Sequence, residues 1–522
     1  MTTVERDFKV TYATLSSPSP RLHEMFDEAV ERARANMGQT FPMLIDGEEV
    51  WAGDTFTNRS PVDRDLVLGS FQKGTEEHVN QAVAAAKRAF KIWGPKPWQE
   101  RVAIMRKAAD TISDRLFDIG AVMTLEVGKN RLESLGDVEE TADLIRYYCD
   151  QMEANNGFEV SMESESERHH NRSVLKPYGV WAVISPFNFP FALAGGPSGG
   201  ALVAGNTVVF KPASDTAYTG WLLAECFRDA GVPAGVFNFI TGGGRQVGQP
   251  LVDHPAINGI TFTGSYDVGM GIYRSFAAGK YPRPCIAEMG GKNPVIISKK
   301  ADLDKAAIGV MRSAFGLQGQ KCSANSRVFV HEDVKDAFMQ KLVSLTEKIN
   351  VGDPTQHENW MGPVVNQGAY EDYQRFVADL RAHGKIVYGG ETMDELNGFY
   401  VKPTIVDELP AGHVLWKQEM FLPIVTVMGF RNMDEAMEMA NDVDYGLTAG
   451  FYGEDDEEVQ WFLDNIEAGV VYVNREAGAT TGAWPGYQPF GGWKGSGSTG
   501  KAGGGRYYVQ QYMHEQSQTV VD

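Results

Sequence analysis

From residue 174 to about residue 490, short runs of β-branched and aromatic residues recur between longer helical stretches: VLKPYGVWAVIS, NTVVFKPA, VFNFITG, INGITFTG and PVIIS, then SRVFVH, GKIVYGG, PIVTVMGF and GVVYVN. Strands separated by ten or more helical residues cannot close a tight hairpin. Each reaches the next by a right-handed crossover, which sets neighbours parallel and covers the sheet with helices. The alternation begins anew near residue 290, so the chain is expected to be α/β, with two such units.

The flanking sequence reads differently. LHEMFDEAVERARANM has the spacing of an amphipathic helix, MLIDGEEVWAG reads as a hairpin turned at Asp46-Gly47, and residues 76–155 carry apolar residues three and four apart, as packed helices do. Two segments, GFEVSMESESERHHNRSV and RYYVQQYMHEQSQTVV, alternate but are too charged for a core strand. Residues 156–176 and 503–522 are therefore expected to be surface strands that pair with strands of another subunit. A homo-oligomer built from dimers follows from that expectation.

Charge and cysteine usage narrow the function. With 48 Lys and Arg against 68 Asp and Glu, the formal net charge is −20, which repels nucleic acid and anionic membranes and keeps a protein in solution. No run reaches the ~18 uninterrupted apolar residues of a membrane helix. The start, MTTVERDFKV, is charged at once and lacks a secretion signal's apolar stretch, so a cytoplasmic location is expected. Cys149, Cys226, Cys285 and Cys322 show no CxxC spacing and the ten histidines no HExxH, so neither a disulfide framework nor a metal site is expected.

Two stretches carry chemistry. GLQGQKCSANSR sets Cys322 between Lys321 and Ser323, and AEMGGKNP sets Glu288 before a Gly-Gly pair. A thiol that attacks a carbonyl carbon and a carboxylate that later activates water give covalent catalysis on an aldehyde or an ester. The apolar flanks Ile286, Ala287 and Met289 favour a raised pKa at Glu288, towards a base's working range. TGGGRQVG (241–248) and FTGSYDVG (262–269) each follow a short strand and open a helix, where free N–H groups attract a phosphate; neither is GxGxxG, and each also reads as a plain tight turn. Lys211, in KPAS, ends a strand, either as a solvated lysine or as a cation for ribose or phosphate oxygens.

SPFNFP, NTVVFKPAS, FTGSYDVG, AEMGGKNP, GQKCSA, QEMFLP, YGLTAGFY and QPFGGWKGSG occur in this order from about residue 185, and the chain from about residue 45 to its end resembles the aldehyde dehydrogenase superfamily. Glu288 precedes Cys322 at that family's interval between base and nucleophile. The resemblance implies a Rossmann-like cofactor domain (1–155 and 177–287), an α/β catalytic domain (288–490) and a small β oligomerisation flap (156–176 and 503–522). It implies that Cys322 forms a thiohemiacetal and then a thioester, that the Asn188 amide and the Cys322 N–H hold the oxyanion, and that Glu288 activates the hydrolytic water. For the cofactor it implies Lys211 on the adenosine ribose, Gly264 and Ser265 on the pyrophosphate, Glu419 on the nicotinamide ribose and Phe421 beside the ring. Many relatives carry Glu at the position of Ser214, where it repels a 2′-phosphate; NAD is expected, and Ser214 leaves room for NADP.

TGAWPGYQPFGG and GSGSTGKAGGGRYY resemble the anchor loop of 1-pyrroline-5-carboxylate dehydrogenases, which oxidise glutamate γ-semialdehyde in proline catabolism. The resemblance implies that Ser323, Gly482 and Ala483 grip the substrate's α-carboxylate and that Phe490 lines its aliphatic part. Trp484-Pro485 is bulkier than the residues common in that loop. Three readings stand: glutamate γ-semialdehyde oxidation, the same chemistry on another semialdehyde or a sugar-derived aldehyde, and a catalytically silent structural member. The retained Asn188, Glu288 and Cys322 weigh against the third.

Overall fold

Asp46 and Gly47 both adopt positive φ, 56° and 81°, the geometry of a two-residue turn matched to strand twist. They close the hairpin between Met43–Ile45 and Glu48–Val50, as the sequence predicts. Leu44 pairs antiparallel with Phe239, which adds the hairpin to one edge of a seven-stranded sheet. The computed structural model describes Val10, residues 18–477 and residues 484–522.

The rest of that sheet is parallel, in the order Cys285–Glu288, Gly259–Thr263, Val180–Ile184, Thr207–Lys211, Phe237–Phe239. The chain enters at Val180–Ile184, moves outward through 207–211 and 237–239, then returns to the other side for 259–263 and 285–288. Strand order reverses between Val180–Ile184 and Gly259–Thr263, the place where open α/β sheets bind ligands outside the carboxyl ends of their strands. Alternate residues serve opposite faces: Val180, Ala182, Val209 and Ala287 pack with helix Glu76–Trp93, while Trp181, Val183, Val208 and Phe210 pack with helices Trp98–Asp114, Arg131–Ala154 and Ala192–Ala204. Helix Ala192–Ala204 approaches Arg131–Ala154 closely because its facing residues are glycines; a Cβ on Gly195 would stand 2.3 Å from Thr141.

A second seven-stranded sheet follows the order Lys385–Tyr388, Thr404–Asp407, Ile424–Phe430, Asn325–His331, Asn293–Ile297, Thr448–Tyr452, Val470–Val473. Every pair is parallel except the first. The two α/β units of the sequence are thus both present.

The polar alternating segments pair with each other within the chain: Met513–Val521 runs antiparallel to His169–Pro177, with Glu159–Ser161 on the far side. The strands start later than expected. Residues 509–512 form a 3-10 turn, because Tyr508 and Tyr512 are buried beside Tyr148 and Trp181 and leave the alternating pattern. The outer edges of Met513–Val521 and Glu159–Ser161 meet no other strand among the described residues. No helix of the described residues is long and apolar enough to cross a membrane.

Two glycine substitutions test this packing by thermal and urea unfolding. Gly195→Val is expected to destabilise by ~1–3 kcal/mol through overpacking against Thr141. Gly271→Ala, in helix Tyr266–Ala277 with nothing within 4 Å of the new Cβ, is expected to stabilise by ~0.5–1 kcal/mol.

Candidate active site

The carboxyl ends of the first sheet carry five of the thirteen predicted residues. Asn188, buried, lies just past Val180–Ile184; Lys211 ends its strand; Gly264 and Ser265 follow Gly259–Thr263; Glu288 ends Cys285–Glu288. The second sheet contributes from its amino ends, with Cys322 just before Asn325–His331 and Glu419 before Ile424–Phe430.

The segment after Glu288 joins the two sets. Gly291 donates its N–H to Glu419 Oε1 at 2.8 Å. A Cβ on Gly290 would lie 2.2 Å from Glu419 Oε2, and one on Gly291 would lie 2.3 Å from the Cys322 carbonyl oxygen, so this passage admits only glycine. Two residues on, Asn293 donates Nδ2 to the carbonyls of Cys322 (2.7 Å) and Ala324 (2.8 Å) while its Oδ1 accepts the Thr448 N–H at 3.0 Å. Ser496 Oγ donates to the Gly290 carbonyl at 2.7 Å and accepts the Gly446 N–H at 3.0 Å.

The loop that leads to Cys322 is held under strain. Leu317 and Gln318 adopt φ of 46° and 57°, uncommon for residues with side chains. Gln318 Nε2 donates to the carbonyls of Gly128 (2.7 Å) and Pro363 (2.8 Å), and Gln320 Oε1 accepts the Val365 N–H at 3.0 Å. Cys322 is partly exposed, whereas the other three cysteines are buried. Desolvation, with the Glu419 and Glu288 carboxylates, pushes its thiol up to about 12 against the pull of the Ser323 and Cys322 N–H groups. Burial at this sulfur thus favours the neutral thiol over the thiolate. Burial raises Glu288 to about 8, opposed by the Gly492 N–H at 3.4 Å. Burial likewise raises Glu419 to about 7, opposed by the Gly291 N–H and the Lys292 charge.

The remaining predicted residues have distinct settings. Lys211 is buried, donates to the Pro212 carbonyl at 3.0 Å and is lowered by burial to about 8; its side chain lies beside Gly248 of the turn Gly244–Gly248. Ser265 is the exposed N-cap residue of helix Tyr266–Ala277, and its side chain makes no capping bond. Ser214 is exposed, and its carbonyl accepts from Asn58 Nδ2 at 2.7 Å. Phe421 has φ of 57°, an outlier for a bulky residue, and meets Phe187 edge-on at 5.8 Å, one residue before Asn188. Ser323 is buried, and the partly buried Phe490 exchanges both backbone hydrogen bonds with Gly503 at 2.9 and 2.8 Å. Gly482 and Ala483 lie outside the described residues.

A family model described as the aldehyde dehydrogenase family matches residues 50–518. The chain belongs to that family. It is 38% identical over 501 residues to a 1-pyrroline-5-carboxylate dehydrogenase of a Geobacillus species, covering 95% of each chain. Its fold is similar, with a TM-score of 0.94 at 33% identity and full coverage of both chains, to a Thermus 1-pyrroline-5-carboxylate dehydrogenase with bound NAD. A 3,6-anhydro-L-galactose dehydrogenase is 33% identical with a TM-score of 0.86, covering 92% of this chain and 100% of that one.

The site of this aldehyde dehydrogenase also holds groups that motif reading missed. Lys321, beside the nucleophile, pairs with Glu133 at 3.0 Å; nothing local marks a glutamate so far upstream as its partner. Lys292 is buried without a hydrogen-bond partner among the described residues and is lowered to about 7, first by burial and then by Arg327. A lysine directly after Gly-Gly and before an apolar strand was a readable signal of that burial. Ser185 Oγ, at the strand-order reversal, is likewise buried without a partner. The bulky Trp484 turns away into the protein, where its indole N–H donates to Asp143 at 2.9 Å.

Glu288 yields a pH test. Its folded pKa of about 8 stands above the ordinary carboxylate value of 4.5, so its contribution to stability is fully present below pH ~4.5 and is lost as pH rises through 8. Glu288→Gln removes that dependence. The variant's melting temperature is expected to exceed wild type by a few degrees at pH 9, and the gap to close at pH 5; a gap independent of pH would contradict the assignment.

Proposed function

We propose that this aldehyde dehydrogenase oxidises L-glutamate γ-semialdehyde to L-glutamate with NAD and water. The observation that carries the reaction class is the meeting of a thiol and a carboxylate, both partly exposed, across the Gly290–Gly291 passage. Full-length likeness to the Geobacillus and Thermus enzymes supports the substrate. The anhydrogalactose dehydrogenase represents the second reading, a sugar-derived aldehyde, at the same identity but a lower TM-score and coverage.

In this reading the Cys322 thiol gives its proton to solvent, Sγ bonds to the aldehyde carbon as the carbonyl π bond opens, and the oxygen becomes an oxyanion held by the Asn188 amide and the Cys322 N–H. NAD, when bound, supplies the acceptor for the hydride whose departure turns the thiohemiacetal into a thioester. Glu288 takes a proton from water, whose oxygen bonds to the thioester carbon; the carbon–sulfur bond breaks, the thiol is restored and the carboxylate leaves. A carboxylate with a pKa near 8 accepts that proton more readily than an ordinary one.

The crevice fits a dinucleotide. Lys211 is a buried cation that donates to the Pro212 carbonyl, a setting that suits ribose or phosphate oxygens. Gly264, Ser265 and the helix N-terminus behind them suit a pyrophosphate. Glu419 is assigned to the nicotinamide ribose and Phe421 to the ring's flank. Ser214 supplies no carboxylate against a 2′-phosphate, so NADP is a permitted second cofactor. Ser323, Gly482 and Ala483 are assigned to the substrate's α-carboxylate and Phe490 to its methylenes. Residues 1–155 and 177–287 form the cofactor domain and 288–490 the catalytic domain. Four free cysteines suit the cytoplasm.

We also assign a dimer, as the unit of any larger assembly, to the small sheet. Its Met513–Val521 edge is nine residues long, and Val160, Met162, Val520 and Val521 are all more than half exposed. Such an edge is a template for a second chain. Light scattering is expected to give a dimer or a multiple of it, and removal of residues 513–522 to give monomers; a monomeric wild type would end the assignment.

Turnover across a panel of aldehydes tests the substrate: NAD reduction is expected to be fastest with glutamate γ-semialdehyde, and faster turnover of neutral aldehydes would overturn it. Cys322→Ala is expected to abolish turnover. Glu288→Gln is expected to leave one burst of NADH followed by slow hydrolysis. Full steady-state activity in that variant would remove Glu288 as the base. Ser214→Glu is expected to impair NADP use more than NAD use.

A further inference from the structure

The turn Gly128–Lys129–Asn130 takes no part in the chemistry above, yet it touches both loops that do. Lys129 and Asp137 have fully buried side chains and pair at 2.8 Å. Lys129 Nζ stands 3.9 Å above the centre of the Phe189 ring, the residue after Asn188. Asp137 Oδ1 accepts the Ala192 N–H at 2.7 Å, which fixes the start of helix Ala192–Ala204 where it leaves the Asn188 loop.

The same turn reaches the nucleophile. The Gly128 carbonyl accepts from Gln318 Nε2 at 2.7 Å, and Gln318 sits in the strained turn ahead of Cys322. Gly128 itself has φ of 84°, and a Cβ there would lie 2.7 Å from the Pro363 carbonyl oxygen. Asn130 caps helix Arg131–Ala154 through the Leu132 and Glu133 N–H groups (3.1 and 3.0 Å), and its amide donates to the Trp360 carbonyl at 2.8 Å. The turn is therefore held on every side, with one arm on each half of the oxyanion site.

A buried ion pair adds little net stability over an apolar pair of the same volume, because desolvating both charges offsets their attraction. What it does supply is a directional, short contact. We propose that Lys129, paired with Asp137, is a positioning residue that sets the Asn188 amide against the Cys322 N–H. The inference rests on the roles given above to Asn188 and Cys322. Displacing a donor by about 1 Å costs on the order of 10²-fold in rate, so small movements of this loop matter.

The test uses the full-length enzyme as Lys129→Met, Lys129→Arg, Asn188→Ala and the double variant Lys129→Met with Asn188→Ala. Asn188→Ala is expected to lower kcat by ~10²- to 10³-fold. Lys129→Met is expected to lower kcat by roughly 10- to 10²-fold, with KM for NAD and the rate of Cys322 alkylation by iodoacetamide within about twofold of wild type. Lys129→Arg is expected to recover most of the loss. In the double variant kcat is expected to match Asn188→Ala within about threefold, since both changes disable one device. Losses that multiply in the double variant, or an unchanged kcat in Lys129→Met, would overturn the proposal. Full activity in Asn188→Ala alone would instead strike the role given to Asn188, and the positioning role with it. Should Lys129→Met fail to fold, Asp137→Asn replaces it, since the amide oxygen still accepts the Ala192 N–H; a lower melting temperature with unchanged kcat would then show a merely structural pair.

Discussion

Gly290 and Gly291 let the end of one sheet pass between the Glu419 carboxylate and the Cys322 carbonyl, and the rest of the site is arranged around that passage. At would-be Cβ distances of 2.2 and 2.3 Å, no other residue fits without moving backbone or carboxylate. Glu288, at the carboxyl end of one sheet, and Cys322, at the amino end of another, can share a site only if the chain between them runs this close. Asn293 and Ser496 then fasten the passage with hydrogen bonds to the Cys322, Ala324 and Gly290 carbonyls.

Desolvation is the largest influence on Glu288, Glu419, Lys211, Lys292 and Cys322. It lifts Glu288 and Glu419 to about 8 and 7, and it lowers Lys211 and Lys292 to about 8 and 7. Acids and bases that differ widely in water are thereby brought to nearly equal proton affinity, the condition under which protons move with small driving force. Burial also pushes the Cys322 thiol up, to about 12, with smaller contributions from the Glu419 and Glu288 carboxylates.

Much of this was legible in the sequence for a physical reason: strand periodicity and turn chemistry are local. The Asp46-Gly47 hairpin, the crossovers between β-branched runs and the strand-end positions of Lys211, Ser265 and Glu288 all follow from a few adjacent residues. What escaped depends on partners far away in the chain. Glu133 meets Lys321 across 188 positions, and neither charge announces the other. The C-terminal strand starts later than its alternating pattern predicts because Tyr508 stacks on Tyr148 and meets Tyr512 edge-on, and these rings bury more apolar surface inside than they would on a flap. Local pattern gave way to tertiary burial.

The same electrostatics bear on whether the chain could be a silent scaffold. Lys292 and Ser185 are buried without hydrogen-bond partners among the described residues, and Lys211 has only its neighbour's carbonyl. Each such group weakens the folded state relative to a satisfied or apolar one. A structural protein gains nothing from them. An enzyme does, because a ligand that supplies the missing partners binds the folded state alone and returns the stability as affinity. Ser185 at the strand-order reversal and Lys292 behind the Gly290–Gly291 passage are thus groups that a binding site can use and that a scaffold gains by replacing with apolar packing.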